Sequence, residues 1–161
     1  MPAVSLATLL QAGYVAVGLR AETKAGVLDA LADRLAETPP VIDAARLRAD
    51  LATRESRMST GVGEGVALPH ARTPAVSGTV AALATLAAPV DWGSLDGAPV
   101  ELVLMVAGPE GDRAAHLHLL AHVSRVVSAP GVRARLAEAA SADDLLAVIA
   151  ATEAREPASE R

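Results

Sequence analysis

One of the four histidines in the chain, His70, ends the stretch STGVGEGVALPH, which begins at Ser59. Pro69 fixes its own φ and biases Leu68 toward an extended backbone, so the chain that leads to the imidazole is restrained. A neutral imidazole has one nitrogen with a free lone pair, while its other nitrogen can be held by a hydrogen bond. These are the properties that a phosphoryl acceptor needs. The alternative is a histidine that only caps a loop.

The glycine-rich part of this stretch has the composition of a binding site for a small oxyanion. Gly61 and the glycines at 63 and 65 permit backbone conformations that turn several N–H groups toward one anion, and Ser59 and Thr60 add hydroxyl donors. The segment is not a P-loop, because no Lys-Ser or Lys-Thr pair follows the glycines, and its glycine spacing differs from the dinucleotide fingerprint. A plain hairpin turn is the alternative.

An arginine precedes this stretch on a predicted helix that Asp43 caps. Leu47, Leu51 and Arg54 follow each other at i, i+4 and i+7, so they share one face of that helix. An arginine at the end of an inward-facing stripe usually meets an anion. The alternative is that Arg54 only binds the last carbonyl groups of its helix.

A second helix, predicted from Asp112 to about Ser128, contains the other three histidines. His116 shares an apolar stripe with leucine and valine side chains, so we expect it on the core side at the start of the helix. His118 and His122 fall on another stripe and are expected to face water. Their i, i+4 spacing suits a metal, but no Glu lies between them in the zincin pattern and no third ligand is evident, so no metal is expected.

The remaining pattern predicts alternating strands and helices, which favours an α/β sandwich in a single domain. Residues 1–152 form the predicted domain, and 153–161 form a flexible polar tail. The predicted strands are 14–19, 65–70 (ending at the proline), 78–87 and 99–108, with a loop over 88–99. The predicted helices are 23–37, one from Asp43, 112–128, 132–140 and 141–152, with Ser141 and Asp144 as a capping box.

Composition excludes several classes of function. The net charge of −5 argues against nucleic-acid binding, which needs a basic footprint. The absence of cysteine excludes disulfides and thiolate chemistry. No apolar run is long enough to span a bilayer, and no Lys or Arg precedes Arg20, whereas a signal peptide begins with a basic region. We therefore expect a cytoplasmic protein without membrane insertion.

Taken together, these motifs resemble the enzyme IIA component of the bacterial phosphoenolpyruvate-dependent sugar phosphotransferase system, in its fructose/mannitol (type-2) class, which includes the nitrogen-regulatory enzyme IIA. The resemblance covers about residues 4 to 150. Its first motif is Arg-Glu followed by Ser/Thr-Thr-Gly-x-Gly-x-Gly and an apolar run ending in Pro-His. Its second is a His-Leu that opens a helix. These motifs stand here as Arg54-Glu55, Ser59 to His70, and His116-Leu117, followed by Leu120-Ala121 and Ser124-Arg125.

The resemblance implies a mixed β-sheet sandwiched by helices, with no metal and no organic cofactor. It implies that His70 accepts a phosphoryl group from the histidine-containing phosphocarrier protein and passes it to an enzyme IIB of a sugar permease. Arg54 and His116 would be the active-site partners of His70, and Ser59, Thr60 and Gly61 would contact the phosphoryl group. Homodimer formation is left open.

Because two proteins must meet at His70, we expect a shallow site with an apolar rim, formed by Val62, Leu68, Ala71 and Val76. The segment PHARTPAV is closer to the sugar-specific members than to the regulatory ones. Three alternatives stay open: a regulatory enzyme IIA whose phosphorylation controls a target protein, a metal-dependent hydrolase using His118 and His122, and a non-catalytic interaction module.

Overall fold

The computed structural model describes residues 5–156, and these form one mixed α/β unit. Its helices are α1 Leu6–Ala12, α2 Lys24–Leu35, α3 Ala44–Arg57, α4 Arg113–Ser128, α5 Val132–Ala137 and α6 Ala142–Ala154. Its strands are β1 Tyr14–Leu19, β2 Gly61–Gly63, β3 Val66–Ala67, β4 His70–Arg72, β5 Val80–Val90 and β6 Val100–Gly108. Between 5 and 156, no helix has the length and apolar character needed to cross a membrane.

The strands form one sheet in the order β1-β5-β6-β3-β2, and β4 also pairs with β6. β5 and β6 are antiparallel, whereas β1 pairs with β5, and β3 and β4 pair with β6, in parallel. The sheet is therefore mixed, as predicted. His70 opposes Val106, so the candidate acceptor lies beside the carboxyl end of the central strand β6.

Alternation along β5, and along β6 from Leu102 onward, divides the core into two layers. Val103, Met105 and Ala107 face the layer that contains the apolar residues of α2 and α3. Leu102, Leu104 and Val106 face the layer formed with α1, α4, α5 and α6. Both faces of β6 are thus buried, as the continuous apolar run predicted. The predicted sandwich of a mixed sheet between helices is confirmed.

The predicted helix starts are also confirmed, because the side chains expected at each N-cap accept a hydrogen bond from the backbone three residues later. This holds for Thr23, Asp43, Asp112 and Ser141. The Asp144 carboxylate accepts from the Ala140 N–H, one residue before the N-cap, rather than completing a capping box.

Several boundaries differ from the prediction: α5 ends at Ala137 rather than at 140, β2 was not predicted, and three further differences bear on the site or the chain ends. The predicted strand over 65–70 is interrupted: β3 ends at Ala67, and His70 begins β4 instead of ending a strand. Pro69 has no N–H to donate, but its carbonyl oxygen accepts from the Val106 N–H at 3.0 Å. β5 continues to Val90 in what was predicted as a loop.

The third difference lies at the two chain ends, which pack together. Helix α1 was not predicted, although Ser5 caps it and Gly13 ends it. Helix α6 continues to Ala154, two residues past the predicted domain boundary, because the buried Glu153 carboxylate binds the first turn of α1. Residues 157–161 of the predicted tail lie outside the described residues.

Candidate active site around His70

Three elements bring Arg54, His70 and His116 to one open cavity of about 410 Å³. Arg54 lies in the last turns of α3, His70 begins β4, and His116 lies in the first turns of α4. Helix α4 follows β6 directly, so its start lies near the end of the strand that β4 pairs with. The three residues singled out from the sequence are therefore brought together by the fold.

The backbone fixes the tautomer of His70. Its Nδ1 lies 2.8 Å from the carbonyl oxygen of Leu68. A carbonyl oxygen can only accept, so Nδ1 carries the hydrogen and Nε2 retains a free lone pair. Burial lowers the pKa of His70 below its ordinary value of 6.5, and the nearby positive charge of Arg54 lowers it further; the Leu68 hydrogen bond and Glu55 act in the opposite direction. The ring is therefore neutral at pH 7, with Nε2 available as a nucleophile.

His116 is buried, as predicted, with 8% of its surface exposed. Its ring centroid lies 6.0 Å from that of His70, with the two rings inclined by 47°. Burial lowers the pKa of His116, a protonated His70 would lower it further, and the charge of Arg72 acts in the same direction, so this ring is also neutral at pH 7. The end of β6 makes room for it, because a Cβ atom on Gly108 would lie only 3.0 Å from its Nδ1.

Arg54 fits both interpretations that the sequence left open. It is half-buried and lines the His70 cavity, where its charge lowers the pKa of His70. One of its guanidinium nitrogens also donates to the carbonyl oxygen of Met58, at 2.9 Å, at the end of α3. A guanidinium has five N–H donors, so this bond leaves the others for an anion.

Ser59, Thr60 and Gly61 do not line the cavity, and their polar atoms are engaged elsewhere. The Ser59 hydroxyl donates to the Trp92 carbonyl at 2.9 Å and accepts from the Gly61 N–H. Thr60 binds the Glu55 carboxylate through both its N–H, at 2.8 Å, and its hydroxyl. Gly61 is required by packing, because a Cβ there would collide with the Ser94 side chain.

Sequence reasoning missed the buried carboxylate that organises this turn. Glu55 is 6% exposed, and besides Thr60 it binds the ammonium group of Lys24 at 3.1 Å. Lys24 also donates to the Trp92 carbonyl at 2.9 Å. The signal was present in the sequence: Glu55 follows Leu51 by four residues, so it continues the inward stripe of α3. This network holds the turn after α3 against the loop after β5.

His122 was predicted to face water, and this was wrong, whereas His118 is exposed. His122 is 6% exposed, and its Nε2 lies 2.6 Å from the Glu153 carboxylate. Its Nδ1 lies 3.1 Å from Glu156. The stripe analysis treated α4 as packed on one side only, but α6 covers a second side. Across 5–156, no three His, Asp or Glu side chains cluster in a way that would hold a metal ion.

The predicted apolar rim is only partly present. Ala71 lines the cavity but is buried, whereas Leu68 and Val76 are buried away from it, and Val62, which is 55% exposed, does not line it. The exposed apolar side chain that does line the cavity is Leu117, on the residue after His116. The rest of the described lining is mainly charged: Arg46, Asp50, Arg57, Arg72, Glu110 and Arg113.

Comparison with known proteins places this site in context. The family model described as "Phosphoenolpyruvate-dependent sugar phosphotransferase system, EIIA 2" matches residues 8–152. A nitrogen regulatory protein of Pseudomonas aeruginosa is 34% identical over 146 residues, covering 91% of this chain and 95% of its own. The fructose-specific EIIABC component of Bacillus subtilis is 32% identical over 146 residues, covering 91% of this chain but only 23% of its own, longer sequence.

Solved structures share the fold. The nitrogen regulatory protein IIA-Ntr of Neisseria meningitidis matches with a TM-score of 0.81 and 27% identity, covering 89% of this chain and 98% of its own. Enzyme IIA mannitol of Escherichia coli, in its complex with phosphorylated enzyme IIB mannitol, matches with a TM-score of 0.73 and 21% identity, covering 85% of this chain and 94% of its own. The family match and the curated relatives agree, and the chain therefore belongs to the EIIA type-2 family of the phosphoenolpyruvate-dependent sugar phosphotransferase system.

Proposed function

We propose that this protein is a phosphocarrier that accepts a phosphoryl group on Nε2 of His70 and passes it to an enzyme IIB for the uptake of a fructose- or mannitol-type sugar. The observation that carries the proposal is the hydrogen bond from His70 Nδ1 to the Leu68 carbonyl, 2.8 Å long. It leaves Nε2 as the nucleophile and fixes the ring that must meet the phosphorus atom. EIIA domains are phosphocarriers as a family. The proposal adds that His70 is the residue that carries the phosphoryl group and that an enzyme IIB receives it.

In the proposed reaction, the Nε2 lone pair of His70 forms a bond to phosphorus while the phosphorus–nitrogen bond of the donor phosphohistidine breaks. The donor imidazole leaves with that electron pair. No proton is transferred, because each ring keeps the hydrogen on its other nitrogen. The transferring group is loose and metaphosphate-like, so the protein contributes mainly position and charge.

Arg54 and His116 supply that charge and position in our proposal. A guanidinium can bind two phosphoryl oxygens at once, and the free N–H groups of Arg54 lie at the same cavity as His70. The neutral His116 ring, 6.0 Å from His70 between centroids, has an N–H to donate to a phosphoryl oxygen. Direct phosphoryl contacts by Ser59, Thr60 and Gly61 are not part of this proposal, because Ser59 binds the Trp92 carbonyl, Thr60 binds Glu55 and the Gly61 N–H binds the Ser59 hydroxyl.

The test is phosphorylation by the natural donor chain. The protein is incubated with phosphoenolpyruvate, enzyme I and the histidine-containing phosphocarrier protein of the same organism, and its intact mass is recorded beside His70→Ala. We expect one acid-labile phosphoryl group on the wild type and none on His70→Ala. An unmodified wild type, with another enzyme IIA phosphorylated in the same mixture, would refute the proposal.

A regulatory role is the second candidate, because the relatives include nitrogen regulatory proteins as well as sugar-specific components. The phosphoryl chemistry at His70 is the same in both. They differ in the acceptor, so phosphorylated protein is mixed with the enzyme IIB of a fructose-type permease from the same organism. Transfer to enzyme IIB supports sugar uptake, whereas a phosphoryl group that stays on His70 in the presence of an active enzyme IIB favours regulation.

A further inference from the structure

A carboxylate lies at the His70 cavity, one helical turn before Arg54. Asp50 lines this cavity, and on α3 it stands four residues before Arg54 and four residues after Arg46. The three side chains therefore share one face of the helix, where opposite charges at i and i+4 can pair. An ion pair between Asp50 and Arg54 would neutralise the guanidinium that is proposed to bind the phosphoryl group.

Asp50 pairs with the other arginine. The Nε of Arg46 donates to both oxygens of the Asp50 carboxylate, at 2.9 and 3.1 Å. Arg54 donates instead to the Met58 carbonyl, and among residues 5–156 no ion pair joins it to Asp50. This arrangement runs against the preference of a helix, because an acid that precedes a base by four residues pairs better than one that follows it. Helix geometry alone therefore does not explain why the carboxylate turns away from Arg54.

The hydroxyl of Thr73 restrains this carboxylate from the other side. It lies 2.6 Å from Asp50 Oδ2 and 3.0 Å from the Ala75 nitrogen. An ionised carboxylate can only accept, so the hydroxyl donates its hydrogen to Asp50 and accepts from the Ala75 N–H. Thr73 is fully buried, and its own N–H donates to the Gly108 carbonyl at 2.8 Å. Rotation of the side chain would leave buried polar groups without partners, so the hydroxyl is fixed in place.

We propose that Thr73 is a positioning residue for phosphoryl transfer, whose hydroxyl holds the Asp50 carboxylate away from Arg54 and so keeps that guanidinium free for the phosphoryl group. The inference rests on the proposed function, since it concerns the cation of that reaction. Thr73 does not line the cavity and acts through Asp50. Without the hydroxyl, Asp50 keeps only its bond to the exposed Arg46, and exposed ion pairs hold side chains weakly. The carboxylate is then free to pair with Arg54.

The experiment removes the hydroxyl in the presence and in the absence of the carboxylate. Thr73→Val, which keeps the shape of the side chain, is compared with the wild type. Thr73→Val/Asp50→Asn is compared with Asp50→Asn, which has no negative charge to pair with Arg54. The measured quantity is the rate constant of phosphorylation at a saturating concentration of the phosphorylated histidine-containing phosphocarrier protein.

Two further variants separate the position of the carboxylate from the stability of the fold. Thr73→Ser keeps the hydroxyl and should restore the wild-type rate. Thr152→Val is the matched control, because it removes a buried hydroxyl that donates to the Val148 carbonyl at 2.7 Å on α6, across the sheet from α3. Circular dichroism and urea unfolding establish that each variant folds. Should Thr73→Val not fold, Arg46→Gln removes the other, exposed partner of Asp50 and gives the same comparison.

We expect Thr73→Val to slow phosphorylation about tenfold, the effect of losing one hydrogen bond to a charged group, and to cause no slowing when it is added to Asp50→Asn. A second readout needs no donor. The charge of Arg54 lowers the pKa of His70, so pairing of Arg54 with Asp50 should raise the midpoint of the His70 NMR titration in Thr73→Val. The same substitution added to Asp50→Asn should leave the midpoint where Asp50→Asn has it. A loss of stability alone would not move this midpoint.

Equal slowing by Thr73→Val with and without Asp50→Asn, or the same slowing in Thr152→Val, would overturn the inference, because Thr73 would then act through the fold and not through the carboxylate. An unchanged rate or an unchanged His70 midpoint in Thr73→Val would overturn it as well. All of these results leave the proposed function intact, since the wild type is phosphorylated in each. If an active donor does not phosphorylate the wild type, the proposed function is refuted, and the titration still decides whether Thr73 keeps Asp50 away from Arg54.

Discussion

His70 donates its Nδ1 hydrogen to the carbonyl oxygen of Leu68, 2.8 Å away and two residues earlier in the chain. The contact depends on the break between β3 and β4. Pro69 has no N–H to donate, although its carbonyl oxygen still accepts from the Val106 N–H of β6, and the Leu68 carbonyl oxygen binds the imidazole. One local backbone feature thus decides which nitrogen of the ring is the nucleophile.

The first prediction concerns the pH at which protonation removes the free lone pair on Nε2 of His70. Below its pKa the ring carries both protons and has no free lone pair. Burial, aided by Arg54, holds that pKa below 6.5, so the neutral form extends to lower pH than in free histidine. We expect the phosphorylation rate to fall to half of its plateau only at a pH below 6.5, and an NMR titration of the His70 ring to have its midpoint below 6.5. A midpoint above 6.5 would contradict this account of the site.

The second prediction tests the space that Gly108 leaves for His116. A Cβ at position 108 would lie 3.0 Å from His116 Nδ1, so Gly108→Ala must displace the ring by a few tenths of an ångström or more. Small misplacements of catalytic groups are costly, and we expect the phosphoryl-transfer rate to fall by about tenfold. Gly111→Ala is the matched control, because a Cβ there meets nothing within 4 Å. Equal rates for the two variants would mean that phosphoryl transfer does not depend on the position of the His116 ring.

The parts of this site that could be predicted from the sequence are those that depend on residues close together in the chain. Arg54, His70 and His116 were identified because helical stripes and a proline act over a few residues, and the N-caps Thr23, Asp43 and Asp112 are equally local. His122 was misassigned because its burial depends on Glu153, which lies on α6 and is distant in sequence. The contact between Glu153 and the first turn of α1 also joins residues far apart in sequence, so the hydrophobic periodicity of either segment could not predict it.

The glycine-rich turn illustrates a different limit. Its composition suits an anion site and equally suits a turn that packs closely, and periodicity cannot distinguish them. The structure gives Gly61 a packing role against Ser94, and Gly63 and Gly65 have φ values of 92° and 83°, where a side chain is strained. Glu55, which fixes the turn, was overlooked because a carboxylate on an inward stripe is understandable only once Lys24 and Thr60 are known to face it.

The third prediction measures what Glu55 contributes. Glu55→Gln removes the charge that binds Lys24 and weakens the bonds to Thr60, while almost preserving the side-chain volume. Hydrogen bonds to charged groups contribute about 1.5–3 kcal/mol, so we expect the free energy of unfolding to fall by about 2 kcal/mol. Urea unfolding followed by the fluorescence of Trp92, the single tryptophan, measures it. Glu22→Gln, at an exposed carboxylate, is the control and should leave the free energy of unfolding unchanged. An equal decrease in both variants would mean that the buried Glu55 network does not stabilise the fold.

The fourth prediction concerns acid stability through Glu153. Burial acts to raise the pKa of this carboxyl, but the hydrogen bonds from His122, Ala7, Leu6 and Ser5 outweigh it and hold the pKa below its ordinary value of 4.5. A depressed pKa stabilises the folded state fully above the unfolded value, and the contribution is lost as pH falls through the folded pKa.

Glu153→Gln should therefore destabilise the protein at pH 7, by about 1.5–3 kcal/mol, and by less below pH 4. Urea unfolding of the variant and the wild type at both pH values measures the difference. Glu138→Gln, at an exposed position at the end of α5, serves as the control. A difference between Glu153→Gln and the wild type that stays constant between pH 7 and pH 4 is the result that this account forbids.

NMR of the phosphorylated, nitrogen-15-labelled protein determines whether the phosphoryl group resides on Nε2 of His70. A long-range proton–nitrogen correlation spectrum identifies both the residue and the ring nitrogen that carries phosphorus. We expect a single phosphohistidine at position 70, bonded through Nε2, with the hydrogen still on Nδ1. A phosphoryl group on Nδ1 of His70, or on His116, His118 or His122, would contradict it.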